Sequence, residues 1–334
     1  MKKQIVLSSL ASMVILGSLS FKKNESAPQV KAAVVKSVEL LQNSSHTFIG
    51  NAGCYSCHGQ SLPSVVVSLA KHKGIAVNDS FQLESLESMI NVFQKPKNHT
   101  LLIEGNKILG GSITMGYSLW SLSSANYPSE KSIALLVQLL LQRQTADGEW
   151  LGGNGRPPLE YYSVSATALA IKGIIDYATP GMQKQVNEAK QRALQWMTQA
   201  QTPANEEKAF QLLGLSWMNA PKALIKERAK SLLSKQHSNG GWSQLDSLDP
   251  DAYATGQALY ALHESGGLAV ADPAYQKGIE YLLANQHTDG SWEVQTRTHA
   301  FQPPVVSGFP FDANQFISAA GSSWATLALL AAME

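Results

Sequence analysis

Two cysteines and a histidine form the most reactive cluster of the sequence. Cys54 and Cys57 are the two cysteines of the chain, and His58 directly follows the second one. This C-x-x-C-H spacing suits covalent attachment of a c-type haem. Its two thiols can add to the porphyrin vinyl groups, and the adjacent imidazole can become an axial iron ligand. We therefore predict one covalent haem c, bound by Cys54 and Cys57, with His58 as the proximal iron ligand.

A C-x-x-C pair also occurs in disulfides, in dithiol redox pairs and in half of a zinc site. Zinc is disfavoured because the sequence has no second C-x-x-C or H-x-x-x-H pair. No βαβ pattern surrounds the cysteines, which disfavours a thioredoxin-like pair, whereas a local disulfide remains open. The adjacent histidine and the export signal favour haem over these alternatives.

Residues 1–28 have the pattern of a secretory signal. Lys2 and Lys3 precede an apolar run over 5–21, and polar residues 22–25 end it. The run is short and serine-rich for a membrane anchor, so we expect no strong membrane association after cleavage. The cleavage site stays open. Export to the bacterial periplasm agrees with the haem prediction, since c-type haem is attached outside the cytoplasmic membrane.

Composition limits the remaining classes of function. The 334 residues are 44% hydrophobic and 15% charged, with a net charge of +1. This balance gives no electrostatic reason to expect binding to nucleic acid or to an acidic membrane surface. The low charged fraction also disfavours disorder, so 29–334 is predicted to form one large domain.

Helical periodicity dominates the chain after residue 29, and no stretch shows the two-residue alternation of a sheet. The pattern predicts twelve helices, which pair into six consecutive hairpins. They lie near 30–42, 60–73, 82–95, 112–125, 129–144, 161–177, 182–200, 206–219, 221–236, 251–265, 272–287 and 316–333.

A seven-residue pattern, Q-x-x-[DN]-G-x-W, occurs three times. It runs from Gln144 to Trp150, from Gln236 to Trp242 and from Gln286 to Trp292. Each copy follows the first helix of a predicted hairpin, where the Asp-Gly or Asn-Gly pair can supply a left-handed turn. The Gln and Trp side chains are predicted to clamp neighbouring elements as structural residues.

These repeats resemble the QW motifs of the squalene–hopene cyclase and protein prenyltransferase superfamily, whose domains are α/α toroids. With six hairpins, the resemblance implies an all-α (α/α)6 toroid. The chain is also similar to exported bacterial proteins that combine a c-type haem motif with such a domain, a group for which no activity is implied. The stretches that carry this similarity are GCYSCHGQSLP (53–63), RPPLEYYSVSATALA (156–170), DAYATGQALYAL (251–262) and SGFPFDANQFISAAGSSWATLAL (307–329).

Loop lengths predict which end of the toroid is functional. Connections within hairpins are long, and those between hairpins are short, so the long loops emerge together at one end. The haem-attachment loop, 43–59, belongs to the first hairpin. We expect the haem at this mouth, on the same face as the QW turns and near the N-termini of all second helices.

The sixth iron ligand has three candidates. Met115 starts the second helix of the next hairpin, His99 lies in the loop before it, and His46 lies in the haem loop. Met115 is the preferred distal ligand, although core packing is the more common role of such a residue. Methionine ligation favours electron transfer, whereas an open site favours ligand binding or oxidation.

Two acids are candidate catalytic residues. Asp251 lies in a D-P-D-A stretch that keeps two of the acids of the cyclase pattern D-x-D-D, although helix capping explains it better. Glu160 heads another second helix and could face the mouth, although an acid at a helix start more commonly acts as a cap. Together with Arg156, Tyr161 and Tyr253, Glu160 could line a polar rim. Protein prenyl transfer is excluded because no cysteine remains for zinc once haem is attached. Trp120 and Trp217 could line an inner cavity or pack in the core.

Two functions follow from these observations. The first is a periplasmic monohaem redox protein that exchanges electrons with an unidentified partner and binds an apolar ligand, such as a terpenoid or lipid, beside the haem. The alternative is an isoprenoid cyclase-like enzyme or lipid-binding toroid without a redox role.

Overall fold

The computed structural model describes residues 26–52, 55–94, 111–153, 155–299 and 305–333. Most of the predicted signal peptide, Cys54 and His99 lie outside these ranges, and their roles stay predictions. None of the helices in the described ranges combines the length and apolar character that a membrane crossing requires.

Twelve α-helices occur in the described residues, as the periodicity predicts. They are α1 (Ser26–Ala52), α2 (Leu62–His72), α3 (Asp79–Gln94), α4 (Gly111–Ser124), α5 (Lys131–Arg143), α6 (Ser163–Tyr177), α7 (Gln183–Gln199), α8 (Asn205–Trp217), α9 (Lys222–Leu233), α10 (Ala252–Glu264), α11 (Pro273–Ala284) and α12 (Gln315–Ala331). A π-helical turn, Cys57–Ser61, leads into α2, and short 3-10 turns, Pro180–Met182 and Asp312–Asn314, precede α7 and α12.

The helices alternate between an outer and an inner ring. Each even-numbered helix contacts the next even-numbered one, and α12 contacts α2, which closes an inner ring of six. The odd-numbered helices pack outside them. Small residues allow the inner helices to approach closely. A Cβ on Gly256 of α10 would lie 2.4 Å from the backbone of α12. The predicted all-α toroid of six hairpins is therefore confirmed.

Two details differ from the sequence prediction. Helix α1 continues to Ala52, so much of the predicted haem loop, 43–59, is helical. The reason is that Ser44, Ser45 and Phe48 continue the buried face of α1, with the hydroxyl groups of the serines replacing apolar side chains. The chain also contains a two-residue ladder that the sequence did not predict, in which β1 (Trp242–Ser243) pairs with β2 (Pro250–Asp251).

The tryptophan of each QW motif joins the end of an outer helix to an inner one. The indole N–H donates to a carbonyl in the last turn of the preceding outer helix, at 2.7–2.9 Å. The pairs are Trp150 with Leu140, Trp242 with Leu232 and Trp292 with Leu282. All three tryptophans are buried, which agrees with their predicted structural role.

The glutamine of each motif joins successive outer helices. Its side-chain amide donates to a backbone carbonyl of the next outer helix at 2.8–3.0 Å. The pairs are Gln144 with Ala189, Gln236 with Ala274 and Gln286 with Ala33. Because Ala33 belongs to α1, the last motif links the end of the chain to its beginning and closes the outer ring.

Aromatic side chains fill the axis of the inner ring. Trp120 of α4 reaches Tyr260 of α10, on the opposite side of the ring, with ring centroids 6.1 Å apart. Trp324 of α12 contacts both of these rings at 5.8–5.9 Å, and Trp217 contacts Trp120 at 5.8 Å. We call these four residues the aromatic plug. Of the two alternatives that the sequence left open for Trp120 and Trp217, packing against each other is therefore the one observed.

Candidate functional site

Cys57 lies at the start of the π-helical turn, at the end of the ring where the QW turns also lie. Its Sγ is 3.6 Å from Thr114 Oγ1 at the start of α4, and the thiol also hydrogen-bonds the Glu160 carboxylate. The side chain is 1% exposed. Burial and the nearby negative charge of Glu160 raise the pKa of Cys57, so the sulfur is held as a neutral thiol.

The His58 ring lies between two phenylalanines at the same end of the ring. Phe48 and Phe316 each approach the imidazole edge-on, with centroids 5.7 Å away. Its nitrogens make no hydrogen bond within the described part of the chain, and the residue keeps partial solvent access. Burial, together with the Arg156 guanidinium, lowers the pKa of His58 to about 3. The imidazole is therefore neutral at physiological pH, which is the form that binds a metal.

Side-chain hydrogen bonds fix the backbone turn that carries Cys57 and His58. Ser56 Oγ accepts from Gly59 N at 2.9 Å, and Gln60 Oε1 accepts from Ser56 N at 2.7 Å. The Gln60 amide also donates to the Ser45 carbonyl of α1 at 3.2 Å. The turn is therefore held from both sides, and a Cβ at Gly59 would lie only 2.8 Å from Ser56 Oγ.

A tight turn before α6 brings two opposite charges to the same place. Arg156 and Glu160 form a backbone bridge, and Arg156 Nη1 lies 3.6 Å from Glu160 Oε2. Helix α6 begins only at Ser163, and Tyr162 is its N-cap residue. Glu160 therefore does not cap the helix, and the alternative role that the sequence suggested for it is wrong. The turn instead directs Glu160 to Cys57.

Asp251 has the capping role that the sequence favoured. Its side chain accepts from Ala254 N at 2.8 Å at the start of α10 and from Gln244 Nε2 at 2.7 Å. Burial raises the pKa of this carboxyl to about 6 despite these hydrogen bonds. Asp251 therefore caps the N-terminus of α10, and a catalytic role for it stays a prediction.

The two distal-ligand candidates within the described residues differ in environment. Met115 is fully buried on α4, next to Thr114, and its role as a ligand stays a prediction. His46 lies on the outer surface of α1, where its ring stacks on Phe81 at 4.2 Å and its Nδ1 is 2.6 Å from Glu84 Oε2. The His46 imidazole is therefore held against α3 by these two contacts.

A buried carboxyl near the mouth was not singled out from the sequence. Glu206, in the first turn of α8, is 2% exposed. It accepts hydrogen bonds from Ser165 Oγ at 3.0 Å, Tyr253 OH at 2.9 Å and Gln257 Nε2 at 2.6 Å. Burial raises the pKa of Glu206 to about 7, because these donors offset only part of the desolvation penalty.

The spacing of apolar residues along α8 indicates that Glu206 faces inward. Glu206 heads a stripe that continues through Phe210, Leu213 and Trp217 at helical intervals. A carboxylate at the start of an apolar stripe is expected to point inward. Tyr253, a candidate from the sequence for a polar rim, is 1% exposed and donates a hydrogen bond to Glu206.

The residues near Cys57 are compatible with a c-type haem. His58 offers a neutral imidazole whose nitrogens have no hydrogen bond among the described residues, and a thiol precedes it. No three His, Cys, Asp or Glu side chains of the described ranges converge on a point suited to a metal ion. A haem iron does not need such a cluster, since the porphyrin supplies four ligands.

Comparison with solved structures identifies proteins of the same fold. Type II terpene cyclase MstE from Scytonema is 11% identical, with 91% of this chain and 98% of that chain covered and a TM-score of 0.52. Unsaturated glucuronyl hydrolase from Bacillus sp. GL1 is 12% identical, with coverage of 88% and 95% and a TM-score of 0.53. A possible GH105 member from Salmonella enterica is 11% identical, with coverage of 98% and 99% and a TM-score of 0.51.

No protein-family model and no curated protein matches the chain. At 11–12% identity, the structural similarity establishes the fold class alone. The chain is an α/α toroid of the kind found in terpene cyclases and in glucuronyl hydrolases.

Proposed function

We propose that the chain is an exported, monohaem c-type redox protein, with haem bound at the mouth of the toroid through Cys54, Cys57 and His58. The observation that carries this proposal is the state of His58. Its imidazole is neutral, has no hydrogen-bond partner among the described residues and is enclosed by two phenylalanines. An axial ligand requires such a nitrogen, and C-x-x-C-H supplies the thiols beside it.

Each neighbouring residue has a defined part in this proposal. When bound, a c-type haem supplies one-electron exchange at its iron. Phe48 and Phe316 would limit the access of water to His58. Arg156 would offer a positive charge to a carboxylate of the cofactor, and without the cofactor it is paired with Glu160. An unidentified redox partner would exchange electrons at this end of the protein.

The aromatic plug limits where an apolar ligand could bind. Since its rings meet across the axis, a terpenoid or lipid is not expected to pass through the centre of the toroid. We place such a ligand at the mouth, above the plug and close to His58.

Spectra of histidine variants test the proposal. We expect the wild-type protein, produced with bacterial haem-maturation enzymes, to have a c-type spectrum when reduced. His58→Ala should lose the proximal ligand field, whereas His46→Ala should retain it because His46 lies on the outer surface. An unchanged spectrum in His58→Ala would contradict the proposed ligand.

Carbon monoxide then separates electron transfer from ligand-binding chemistry. Absence of binding to the reduced protein would indicate a tight sixth ligand and an electron carrier, and Met115→Ala should then allow binding. Rapid binding to the wild-type protein would exclude Met115 as a tight ligand and would favour oxidation chemistry.

Glu206 favours a second candidate, which is an enzyme that protonates an isoprenoid substrate. This carboxyl has a pKa of about 7, so about half of it is protonated at neutral pH, and it accepts hydrogen bonds from three side chains. The cyclase MstE was solved with geranylgeranyl dihydroxybenzoate as substrate, so a geranylgeranyl-bearing compound is the appropriate probe. Formation of a cyclised product that is lost in Glu206→Gln would support this candidate. Absence of product would exclude it for this substrate.

A further inference from the structure

A groove of about 800 Å³ lies at the mouth, and neither Cys57 nor Glu206 is among the residues that line it. One wall is the loop before α6, which carries Tyr161 and Tyr162. The other wall is the end of α7 and the segment that follows it, with Trp196, Gln199 and Gln201. Glu207 also lines the groove. It has the size of a binding site for a small molecule or short polymer.

The first wall is held in place by the backbone. Gly152 N donates to Ser163 Oγ at 3.1 Å. A Cβ on Gly152 would lie 2.2 Å from the Tyr161 carbonyl oxygen, and a Cβ on Gly153 would lie 2.4 Å from that of Glu160. The two backbone segments therefore touch, and glycine is required for this contact.

The second wall is fixed by a side chain from α8. Gln211 Nε2 donates to the carbonyl oxygens of Met197, at 2.8 Å, and Ala200, at 3.1 Å. Trp196 is half-buried and packs against the core, so one part of its ring is fixed while another part remains accessible. Both walls are therefore formed before any ligand binds.

The groove combines aromatic surfaces with hydrogen-bonding groups. Tyr161 is 49% exposed and packs edge-to-face with Tyr162, with centroids 5.0 Å apart. The side chains of Gln199 and Gln201 are exposed and make no hydrogen bond among the described residues. Glu207 uses one oxygen to accept from Ala204 N at 3.0 Å. Amides and a carboxylate thus lie beside flat apolar rings.

We propose that this groove binds a neutral saccharide. Sugar rings have an apolar face that can pack on Trp196 and Tyr161, and hydroxyl groups that can pair with Gln199 and Gln201. The proposal does not depend on haem, because none of the groove residues takes part in the Cys57 site.

Charge excludes an acidic saccharide as the preferred ligand. Among the described residues, no lysine, arginine or histidine lines the groove, whereas Glu207 contributes a carboxyl group. Arg297 is close to Tyr162 but does not line the groove, and its Nε donates to Gln244 at 2.8 Å. The wide opening and the polar side chains also disfavour a lipid. A proline-rich peptide, which can pack on aromatic rings, is an alternative to be tested.

Titration calorimetry with the full-length protein tests this proposal. The probes are cellotetraose, maltotetraose and chitotetraose as neutral sugars, tetragalacturonate as an acidic sugar, and a proline-rich peptide. We expect saturable binding of at least one neutral sugar. Tyr161→Ala and Gln199→Ala, which change exposed side chains, should each weaken binding, by about tenfold for the lost aromatic contact.

Leu248→Ala is the matched control, since Leu248 is exposed on a different loop of the same end. This variant should bind like the wild type, with an unchanged thermal unfolding midpoint. The proposal would be overturned if no neutral sugar bound, or if both groove variants bound it as tightly as Leu248→Ala did. Stronger binding of tetragalacturonate or of the peptide would also overturn it.

Discussion

The environment of Glu206 differs strongly from that of an ordinary surface glutamate. A carboxyl group ordinarily titrates near pH 4.5, but burial raises the pKa of Glu206 to about 7. Between these values the folded protein binds more protons than the unfolded chain. Its stability is therefore expected to fall as the pH rises through this window.

Replacing Glu206 with glutamine tests this linkage, because an amide of similar shape cannot ionise. From pH 4.5 to 7.5, the wild-type protein should lose up to about 3 kcal/mol more of its free energy of unfolding than Glu206→Gln does. Urea unfolding at several pH values measures this difference. Asp251 also titrates in this window, but it is present in both proteins. Parallel curves of the free energy of unfolding against pH would therefore contradict the raised pKa of Glu206.

At the residue scale, the capping role of Asp251 is predictable from its position at a helix start, and the structure confirms it. The haem chemistry of Cys57 and His58 stays a prediction. Glu206 was missed because its burial depends on helices α6 and α10, which supply its hydrogen-bond donors. The sequence contains only the indirect signal of an acid at the head of an apolar stripe.

The QW turns are the elements that hold the two rings together. Their glycines have left-handed backbone angles, with φ of +102° at Gly148, +90° at Gly240 and +93° at Gly290. Each glycine also lies against the backbone of the next outer helix. At Gly240, for example, a Cβ would be 2.3 Å from the Lys277 carbonyl oxygen. Both conditions explain why an Asp-Gly or Asn-Gly pair recurs in this position.

A pair of glycine variants separates these two conditions. Gly266 has a φ of +67° but has no neighbouring atom near its Cβ position. Gly266→Ala should therefore lower the free energy of unfolding only by the cost of the left-handed backbone, about 1–2 kcal/mol. Gly240→Ala should be more strongly destabilised, because α11 would also have to move. Equal losses in urea unfolding would contradict the inferred role of the contact.

At the element scale, the helices were predictable and the exact end of α1 was not. Apolar positions at three- and four-residue intervals define all twelve helices. The stretch from 43 to 52 looks like a loop because it is rich in polar residues. It stays helical since Ser45 donates to the Gly59 carbonyl, a contact with the turn that carries His58.

The toroid as a whole is closed at its centre by the aromatic plug. Periodicity indicates that Trp120, Tyr260 and Trp324 face inward, but it does not show whether their rings meet or surround a space. The outcome depends on the diameter of the inner ring of helices, and small residues such as Gly116 and Gly256 bring these helices close together. At this level of the toroid, aromatic rings therefore occupy the axis in place of a ligand pocket.

Removing Trp120 should open a cavity at the axis. Trp120→Ala is expected to lower the free energy of unfolding by about 3–5 kcal/mol and to create a binding site for a small aromatic compound such as indole. Trp217→Ala is the control. Because Trp217 is only half-buried, this variant should lose less of its free energy of unfolding. Indole should raise the unfolding temperature of Trp120→Ala alone. An equal effect on the wild type would indicate a pre-existing cavity.

Binding of one haem c by Cys54, Cys57 and His58 is the proposal on which the redox function depends. The most direct test is the intact mass of the exported protein, produced with bacterial haem-maturation enzymes and denatured in acid. We predict a gain equal to one haem in the wild type, and no retained haem when both cysteines are replaced by serine. A wild-type protein that carries no added mass, while a known c-type cytochrome matures in the same cells, would contradict the claim.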